Sequence, residues 1–551
     1  MKHFKFPCGC KFPILSENPL RLKFVPDIEQ IPLTCKRTWD LLSEESTVGC
    51  FQLESRLGQT FAKKLKPRNL EHLSALVAIL RPGALESLRD EKSITQHYID
   101  RKNGEEEVTY YHPALEPILQ KTYGEMIYQE QAMRIATDIA GFDPQQANTL
   151  RKAIGKKKPE LMSKLKSQFI DGCVQREIVT PEQAEEIFSW IEKSQRYSFN
   201  ASHSLSYAMN TYLSAYAKAH FPRVFFTSYL YYAKDKVKPQ EEVNELANNA
   251  KFMGIEIRPP DLRHMNEHFA LEGKDIYFGL TDIKGIGKSI IKRLHKELDN
   301  VKKKLKKNVD EMTWLEFVVF LSPNINSTAV KNLISSGAVS YLCDNRSKML
   351  YEFEMYGELS QREQRWCESI LIDNGQPITM LLDLFKKLVQ APTGKNGGCA
   401  NKKRLLKIEG LINSLEKPPY KLVDSKEWIA GLEDQLLGIS LTCASVESCD
   451  ISAANCTCKE FLLEKNKSDV MLIAGLVDKV NEIKTKTGTN PGQLMAFVTF
   501  SDNSGCINSG VCFPDSYLEN KRLLVEGNHV MLRGIRGKQK DSFIINKVFQ
   551  I

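Results

Sequence analysis

Hydrophobic positions recur at helical spacing through most of the chain and at strand spacing near its end. Between Gln183 and Ile191, the residues Ala184, Ile187, Trp190 and Ile191 fall at three- and four-residue steps and predict one apolar helix face. From Tyr207 to Tyr232 apolar and aromatic residues cover several faces, among them Tyr212, Tyr216, Phe225, Phe226 and Tyr229. This predicts a buried helix pair, with the break at Pro222. A shorter helical module with two glycine signals follows over 235–345, and 346–468 shows no clear period. After that the period becomes two, in Val470–Ala474, Met495–Phe500, Val530–Leu532 and Phe543–Ile545. Five or so short strands in about 80 residues predict a small barrel of the oligonucleotide-binding (OB) type. The fold class expected is multidomain, mainly α up to about residue 345 and closing in an all-β OB-type barrel. The boundaries drawn from the pattern are 1–36, 37–234, 235–345, 346–468 and 469–551.

Composition narrows the class. The 551 residues are 42% hydrophobic and 26% charged, the balance of an ordinary globular chain with room for about three to five domains. No apolar run of about 18 residues is present, which argues against a membrane span. The first residues, Met1 to Cys8, carry no apolar signal core, so a cytoplasmic protein is expected. The net charge of +8 is compatible with nucleic acid but mild for this length, so local clusters must decide. The 14 cysteines then read as reduced thiols or metal ligands rather than a disulfide framework.

Four segments carry candidate chemistry. From Arg151 to Lys158 five cations lie within eight residues (Arg151, Lys152, Lys156, Lys157 and Lys158), interrupted by Gly155. Such a cluster suits the phosphates of a nucleic acid or a triphosphate, and a solvated helix end explains it as well. From Arg196 to Tyr207, Asn200, Ser202, His203 and Tyr207 crowd the start of a long apolar helix, where they form either an anion site or an ordinary N-cap. Lys284, Gly285, Gly287 and Lys288 form a Gly-hydrophobic-Gly turn that reads as a helix-hairpin-helix for duplex DNA, or as a plain tight turn. The lysines 302, 303, 304, 306 and 307 follow closely and add a positive field. The barrel strands carry few aromatics, mainly Phe497, Phe500 and Phe513, so the barrel could dock protein rather than DNA.

Two thiol groups come into question. Cys443, Cys449, Cys456 and Cys458 place four thiols within sixteen residues, a candidate zinc or iron–sulfur site. Cys8, Cys10 and Cys35 offer three more. Neither group has paired C-x-x-C spacing, and free cysteine explains both. No Asp-x-Asp occurs anywhere, and Asp27 and Glu29 are the nearest acidic pair. Two-metal nucleotidyl transfer needs such carboxylates. Phosphate-loop, nucleophile-elbow and zinc-protease motifs are also missing from the sequence.

Taken together the motifs resemble one family, the C-family bacterial replicative polymerases, that is the DNA polymerase III alpha subunit from its fingers domain onward. The resemblance is carried by Ile31-Pro32-Leu33, Cys50 to Ser55, Leu80 to Gly83, His97 to Lys102 and Tyr123 to Gln131. It continues through the basic stretch, Asn200 to Tyr207, Lys218 to Pro222, Pro259-Pro260-Asp261, the hairpin and the barrel, in the family's order. It implies fingers over 37–234 and a duplex-DNA and clamp region over 235–345. It places Arg151, Lys152, Lys156 and Lys157 at phosphates, and Asn200, Ser202, His203, Tyr207, Gln129 and Gln131 at or near the incoming dNTP. Leu381, Leu382, Asp383, Leu384 and Phe385 resemble the short peptide by which that family holds its sliding clamp, and an amphipathic helix explains the same residues. Two departures stand out. The family's palm, with its magnesium-binding aspartates, precedes the fingers and is not found in this sequence. Ala201 also stands where the family usually has a basic residue.

The expectation is therefore a split, phage-like polymerase. This chain would position dNTP and primer–template, and a separate palm-bearing chain would hold Mg2+. A non-catalytic, polymerase-derived DNA-binding or replisome scaffold is the alternative.

Overall fold

The computed structural model describes residues 31–44, 47–155, 159–194, 198–373, 378–391, 399–464, 469–485, 491–537 and 542–551, together with two paired strands, His3–Lys5 and Lys11–Pro13. Cys8, Cys10, Asp27, Glu29, Lys156, Lys157 and Lys158 lie outside the described residues. The chain forms two compact units, Met1–Phe225 and Phe226–Ile551. No helix among the described residues is long and apolar enough to cross a membrane.

The first unit is helical around two apolar clusters. One gathers α1 (Lys36–Glu44), α2 (Leu70–Ile79), α3 (Ile94–Asn103) and later chain, with Trp39, Leu73, Leu76, Tyr98, Tyr212 and Tyr216 buried together. The other is built by α4 (Gln129–Asp138), α5 (Pro144–Gly155), α6 (Pro159–Gln175) and α7 (Pro181–Ser194), around Ile135, Phe142, Phe169, Phe188 and Ile191. In α7 the expected face is the buried one at Ala184, Ile187 and Ile191, whereas Trp190 is only half-buried and donates to Glu186. α8 (Ala201–His220) and α9 (Pro222–Ala233) meet at Pro222, as the sequence predicts, because proline is tolerated in a first helical turn and nowhere deeper. Their burial is partial. Tyr212 and Tyr216 are in the core, while Tyr231 and Tyr232 are exposed.

A polar network braces the chain before α4. Arg89 and Arg101 both pair with the buried Glu125 carboxylate, and Arg101 Nε donates to Glu106 at 2.7 Å. Burial pushes the Glu106 carboxyl up, but bonds from His97, Arg101 and Lys92 outweigh it and hold it at about 2.

In the second unit α10 (Pro239–Phe252) precedes a three-stranded sheet of Ile257–Arg258, Ala270–Glu272 and Asp275–Tyr277. Then come the hairpin turn, α11 (Lys288–Leu305) and α12 (Ser327–Ser335). The stretch without a clear period is helical: α13 (Arg346–Gly357), α14 (Gln361–Asp373), α15 (Leu381–Gln390), α16 (Lys402–Glu416) and α17 (Lys426–Leu437). A buried ion pair lies within it, and the arginine of that pair reaches the hairpin module. Arg346 donates to Glu433 at 2.7 Å and to the Ser335 carbonyl at 3.0 Å. The second Glu433 oxygen accepts the Leu441 and Thr442 amides. Burial of two charges is tolerated here because their hydrogen-bonding capacity is filled.

The barrel is closed. Its strands are β1 (Met471–Lys484), β2 (Leu494–Asp502), β3 (Gly505–Cys512), β4 (His529–Arg536) and β5 (Phe543–Gln550), ordered β3-β5-β4-β1-β2. All neighbours are antiparallel except β3 and β5, and the helix Pro514–Asn520 between β3 and β4 buries Tyr517. This is the expected OB-type closure. The strand that the pattern did not mark is β3, whose apolar residues are interrupted by Asn508, Ser509 and Gly510 and whose register slips between Ile507 and Gly510.

Candidate nucleic-acid interface

The segment Met126 to Ala132 feeds both clusters of the first unit. Met126 and Ala132 join one, and Ile127 joins the other. At this junction the chain just before α8 lies against the start of α4. Phe199 N donates to Ile127 O and Gln129 N to Phe199 O, each at 2.9 Å, forming a parallel bridge between Tyr128 and Phe199. Tyr128 Oη sits 3.0 Å from Ser74 Oγ, and Ser204 Oγ donates to Ser74 O at 2.5 Å, so α2 locks both strands of the bridge. Burial pushes the Tyr128 phenol up to about 12, so it stays protonated at any working pH.

The first three residues of α4 then point to three different places. Gln129 Oε1 accepts from Arg151 Nη1 of α5 at 3.3 Å. Glu130 accepts Asn200 Nδ2 at 2.7 Å and Ala201 N at 2.9 Å. Gln131 is buried and turns back. Its Oε1 accepts the Ile127 and Tyr128 amides, and its Nε2 donates to Thr122 Oγ1 at 2.6 Å. Every strong hydrogen-bonding group of Gln131 is thus committed to the local fold, which places it away from a ligand-facing surface.

Arg151 is half-buried, and its guanidinium donates to amide oxygens, Gln129 Oε1 and Asn148 Oδ1. Among the described residues no carboxylate forms an ion pair with it or with the exposed Lys152. A guanidinium oriented by neutral groups keeps its full charge for an anion.

Along the exposed side of α8 runs a ladder of π faces. Arg81 stacks on the Phe199 ring at 3.5 Å. Phe199 meets His203 at 5.3 Å, His203 meets Tyr207 at 4.1 Å, and Tyr207 meets Phe51 at 5.3 Å. His203 and Tyr207, four residues apart, share one side of α8, and Phe199 meets them from the extended chain just before the helix. Arg81, His203 and Phe51 are solvent-exposed, and so is Leu205 nearby. Asn200 and Ser202 are occupied differently. Asn200 Oδ1 caps α8 by accepting His203 N at 2.8 Å and Ser202 Oγ at 2.7 Å.

In the second unit the hairpin turn ends at Gly287, the N-cap of α11, with no side-chain cap and open space where a Cβ would stand. Gly285 has a φ of +84° and lies against Asn332 Nδ2, whose amide holds Lys284 O at 2.8 Å. Lys284 and Lys288 are exposed on either side. The free amides of the first turn of α11 therefore face solvent between two cations, the geometry of a non-specific phosphate seat.

The family described as the bacterial DNA polymerase III alpha subunit finger domain matches residues 21–177, and a helix-hairpin-helix motif family matches 254–349. DNA polymerase III subunit alpha of Aquifex aeolicus is 31% identical over 528 residues, which cover 94% of this chain and 39% of that protein. The chain belongs to the DNA polymerase III alpha subunit family. The Bacillus subtilis subunit is 30% identical over 502 residues, and the Escherichia coli K12 subunit is 38% identical over 274 residues. The chain spans about two fifths of the length of the first two relatives, 39% and 40%. Gln129, Gln131, Arg151 and Lys152 fall inside the stretch matched to the polymerase III fingers. Lys284 to Lys288 fall inside the hairpin match, and Asn200 to Tyr207 lie beyond the first and before the second.

Against this polymerase III framework, two sequence expectations need correction. Leu381, Leu384 and Phe385 form the buried side of α15, at 2%, 0% and 0% exposure, with only Asp383 exposed and Leu382 between. As folded, the five residues Leu381 to Phe385 are an amphipathic helix and not an accessible clamp peptide. The thiols Cys443, Cys449, Cys456 and Cys458 do not converge either. Cys443 Sγ donates to Lys426 O at 3.3 Å, Cys449 lies 4.0 Å from Ser448 Oγ, and Cys456 and Cys458 pack into the barrel core. Burial pushes the Cys458 thiol well above its ordinary range, which disfavours the thiolate a metal needs. Among the described residues no group of three His, Cys, Asp or Glu side chains is placed to hold a metal ion.

Arg81, Phe51 and Glu130 stand within the family-like motifs, but the sequence alone assigns them no roles. Their partners in the ladder and at the helix start are far away along the chain, and spacing carries no signal of such contacts. Glu130 is the most legible of the three, as an acidic residue in the first turn of a helix between two glutamines.

Proposed function

We propose that this chain is the part of a replicative DNA polymerase that positions the incoming nucleotide and the primer–template, while a separate palm-bearing chain supplies the magnesium-holding carboxylates. The observation that carries the reading is the ladder Arg81–Phe199–His203–Tyr207–Phe51, exposed at Arg81, His203 and Phe51 and half-buried at Phe199 and Tyr207, and joined through Gln129 to an arginine that has no carboxylate partner among the described residues. A nucleotide needs both a flat apolar face for its base and fixed cations for its phosphates.

In this reading His203 and Tyr207 meet the base or the nascent pair. Arg151 and Lys152, with Lys156 and Lys157 of the same stretch, meet phosphates. Gly285, Gly287, Lys284 and Lys288 hold the duplex by its backbone. Two-metal nucleotidyl transfer needs paired carboxylates, and this reading assigns them to the palm-bearing chain. This chain would act by holding substrate and duplex in register.

The test is primer extension with the purified chain, Mg2+ and four dNTPs, with template binding followed in parallel. The expected result is binding without incorporation, and incorporation once a palm-bearing chain is added. Incorporation by the verified pure chain would overturn the assignment, and Asp27 and Glu29 would be the first residues to replace. Binding that no palm-bearing chain converts into incorporation would favour a replisome scaffold.

A further inference from the structure

We propose that Glu130 is a positioning residue, an internal counter-anion that fills the N-terminal end of α8, sets the ladder on that helix and excludes phosphate from it. The backbone N–H groups at a helix start attract anions, and the cluster Asn200–Ser202–His203 marks such a start. Here the position is taken. One Glu130 oxygen accepts the Ala201 N–H, and the other accepts Asn200 Nδ2. Glu130 also stands in the first turn of α4, so the positive ends of two helices meet at one carboxylate.

The orientation of Asn200 makes the arrangement specific. Its Oδ1 accepts His203 N and Ser202 Oγ, so its amide nitrogen must face Glu130. Glu130 therefore meets two donors and needs two acceptor oxygens. A glutamine has only one, and its own NH2 would oppose a donor. Phosphates are then left to Arg151 and its lysines, and α8 contributes its ring faces. The inference deepens the nucleotide-pocket reading and rests on it, but its test does not require polymerase activity.

Hydrogen exchange is measured over residues 200–207 in the full chain, for the wild type, Glu130→Gln, Asn200→Asp and the double variant. Glu130→Gln should speed exchange by about tenfold, as expected for a helix end that opens locally. Asn200→Asp sets two carboxylates against each other and should do likewise. The double variant restores the pattern. The carboxylate introduced at position 200 accepts from the amide nitrogen introduced at position 130, the amide oxygen at 130 accepts Ala201 N, and one carboxylate remains at the helix end. Exchange should return to about the wild-type rate. If the double variant exchanges as fast as Glu130→Gln, fails to fold, or if Glu130→Gln leaves exchange unchanged, the proposal is wrong. If a single variant does not fold, recovery of folding in the double variant is the same rescue.

Tripolyphosphate gives the second arm. The wild-type segment should gain no protection from it, whereas Glu130→Ala, with the helix end open, should gain protection. Protection of the wild type would overturn the Glu130 proposal and leave the nucleotide pocket standing. Failure of the wild type to bind primer–template and dNTP would overturn the pocket and leave the Glu130 result intact.

Discussion

Arg151 is the residue on which the phosphate reading turns. Its side chain is oriented by Asn148 and Gln129 and carries no carboxylate partner among the described residues. Arg151→Ala should weaken nucleotide-dependent binding to primer–template by about 1.5–3 kcal/mol, the range for a charge-assisted contact. Fluorescence titration with the complementary dNTP checks this, and an unchanged affinity would remove Arg151 from the site. A second residue makes a prediction about pH. Burial, with Lys102 nearby, lowers the His72 imidazole to about 4, against a smaller opposite pull from Glu71. Its Nδ1 accepts the Arg68 amide at 3.4 Å, and its Nε2 lies 2.8 Å from Tyr123 Oη, so the neutral ring is the one that fits. An unfolded histidine protonates near 6.5. Between about pH 6.5 and 4 the unfolded chain therefore binds a proton that the folded chain refuses. His72 stabilises fully above that window and loses its contribution as the pH falls through it. Urea midpoints over this range should fall with acidity for the wild type and fall less for His72→Gln. Parallel curves would contradict the assignment.

Elements were legible where one face was apolar and their breaks were marked. α7, the break at Pro222 and four of the five barrel strands follow from period and punctuation. β3 was hidden because Asn508, Ser509 and Gly510 interrupt the alternation between its buried residues Ile507 and Cys512. The helices after residue 346 were hidden for another reason. In α13 the buried residues Met349, Tyr351, Phe353 and Tyr356 do not line one simple stripe, because the helix is covered from more than one side. α15 shows how a short motif and a packed helix share one pattern. Leu384 and Phe385 are fully buried there with Leu388. Phe385→Ala should cost about 3–5 kcal/mol of stability, as for a large core truncation. Urea unfolding measures this, and a near-neutral effect with lost clamp association would restore the peptide reading.

At the scale of the whole molecule, the family was legible from ordered motifs, whereas the candidate site was only partly so. His203, Tyr207 and Arg151 were named from the sequence, and the structure brings the first two into one ladder and ties the third to it through Gln129. Gln131 and Asn200 were named too, but their polar groups are used in holding the helices together. The difference is one of demand. Buried amides and helix ends must be satisfied first, and only what remains can face a ligand. A net charge of +8 over 551 residues does not mark such a surface, and its cations act only where the fold leaves them unpaired.

The decisive measurement is the affinity of the full chain for a primer–template ending in a dideoxynucleotide, with and without the next complementary dNTP, for the wild type and His203→Ala. A nucleotide site at His203 requires that the complementary nucleotide, and not the other three, tighten the wild-type complex, and that His203→Ala lose most of this gain while still binding duplex. Equal affinity with all four nucleotides, or a gain that survives His203→Ala undiminished, would contradict it.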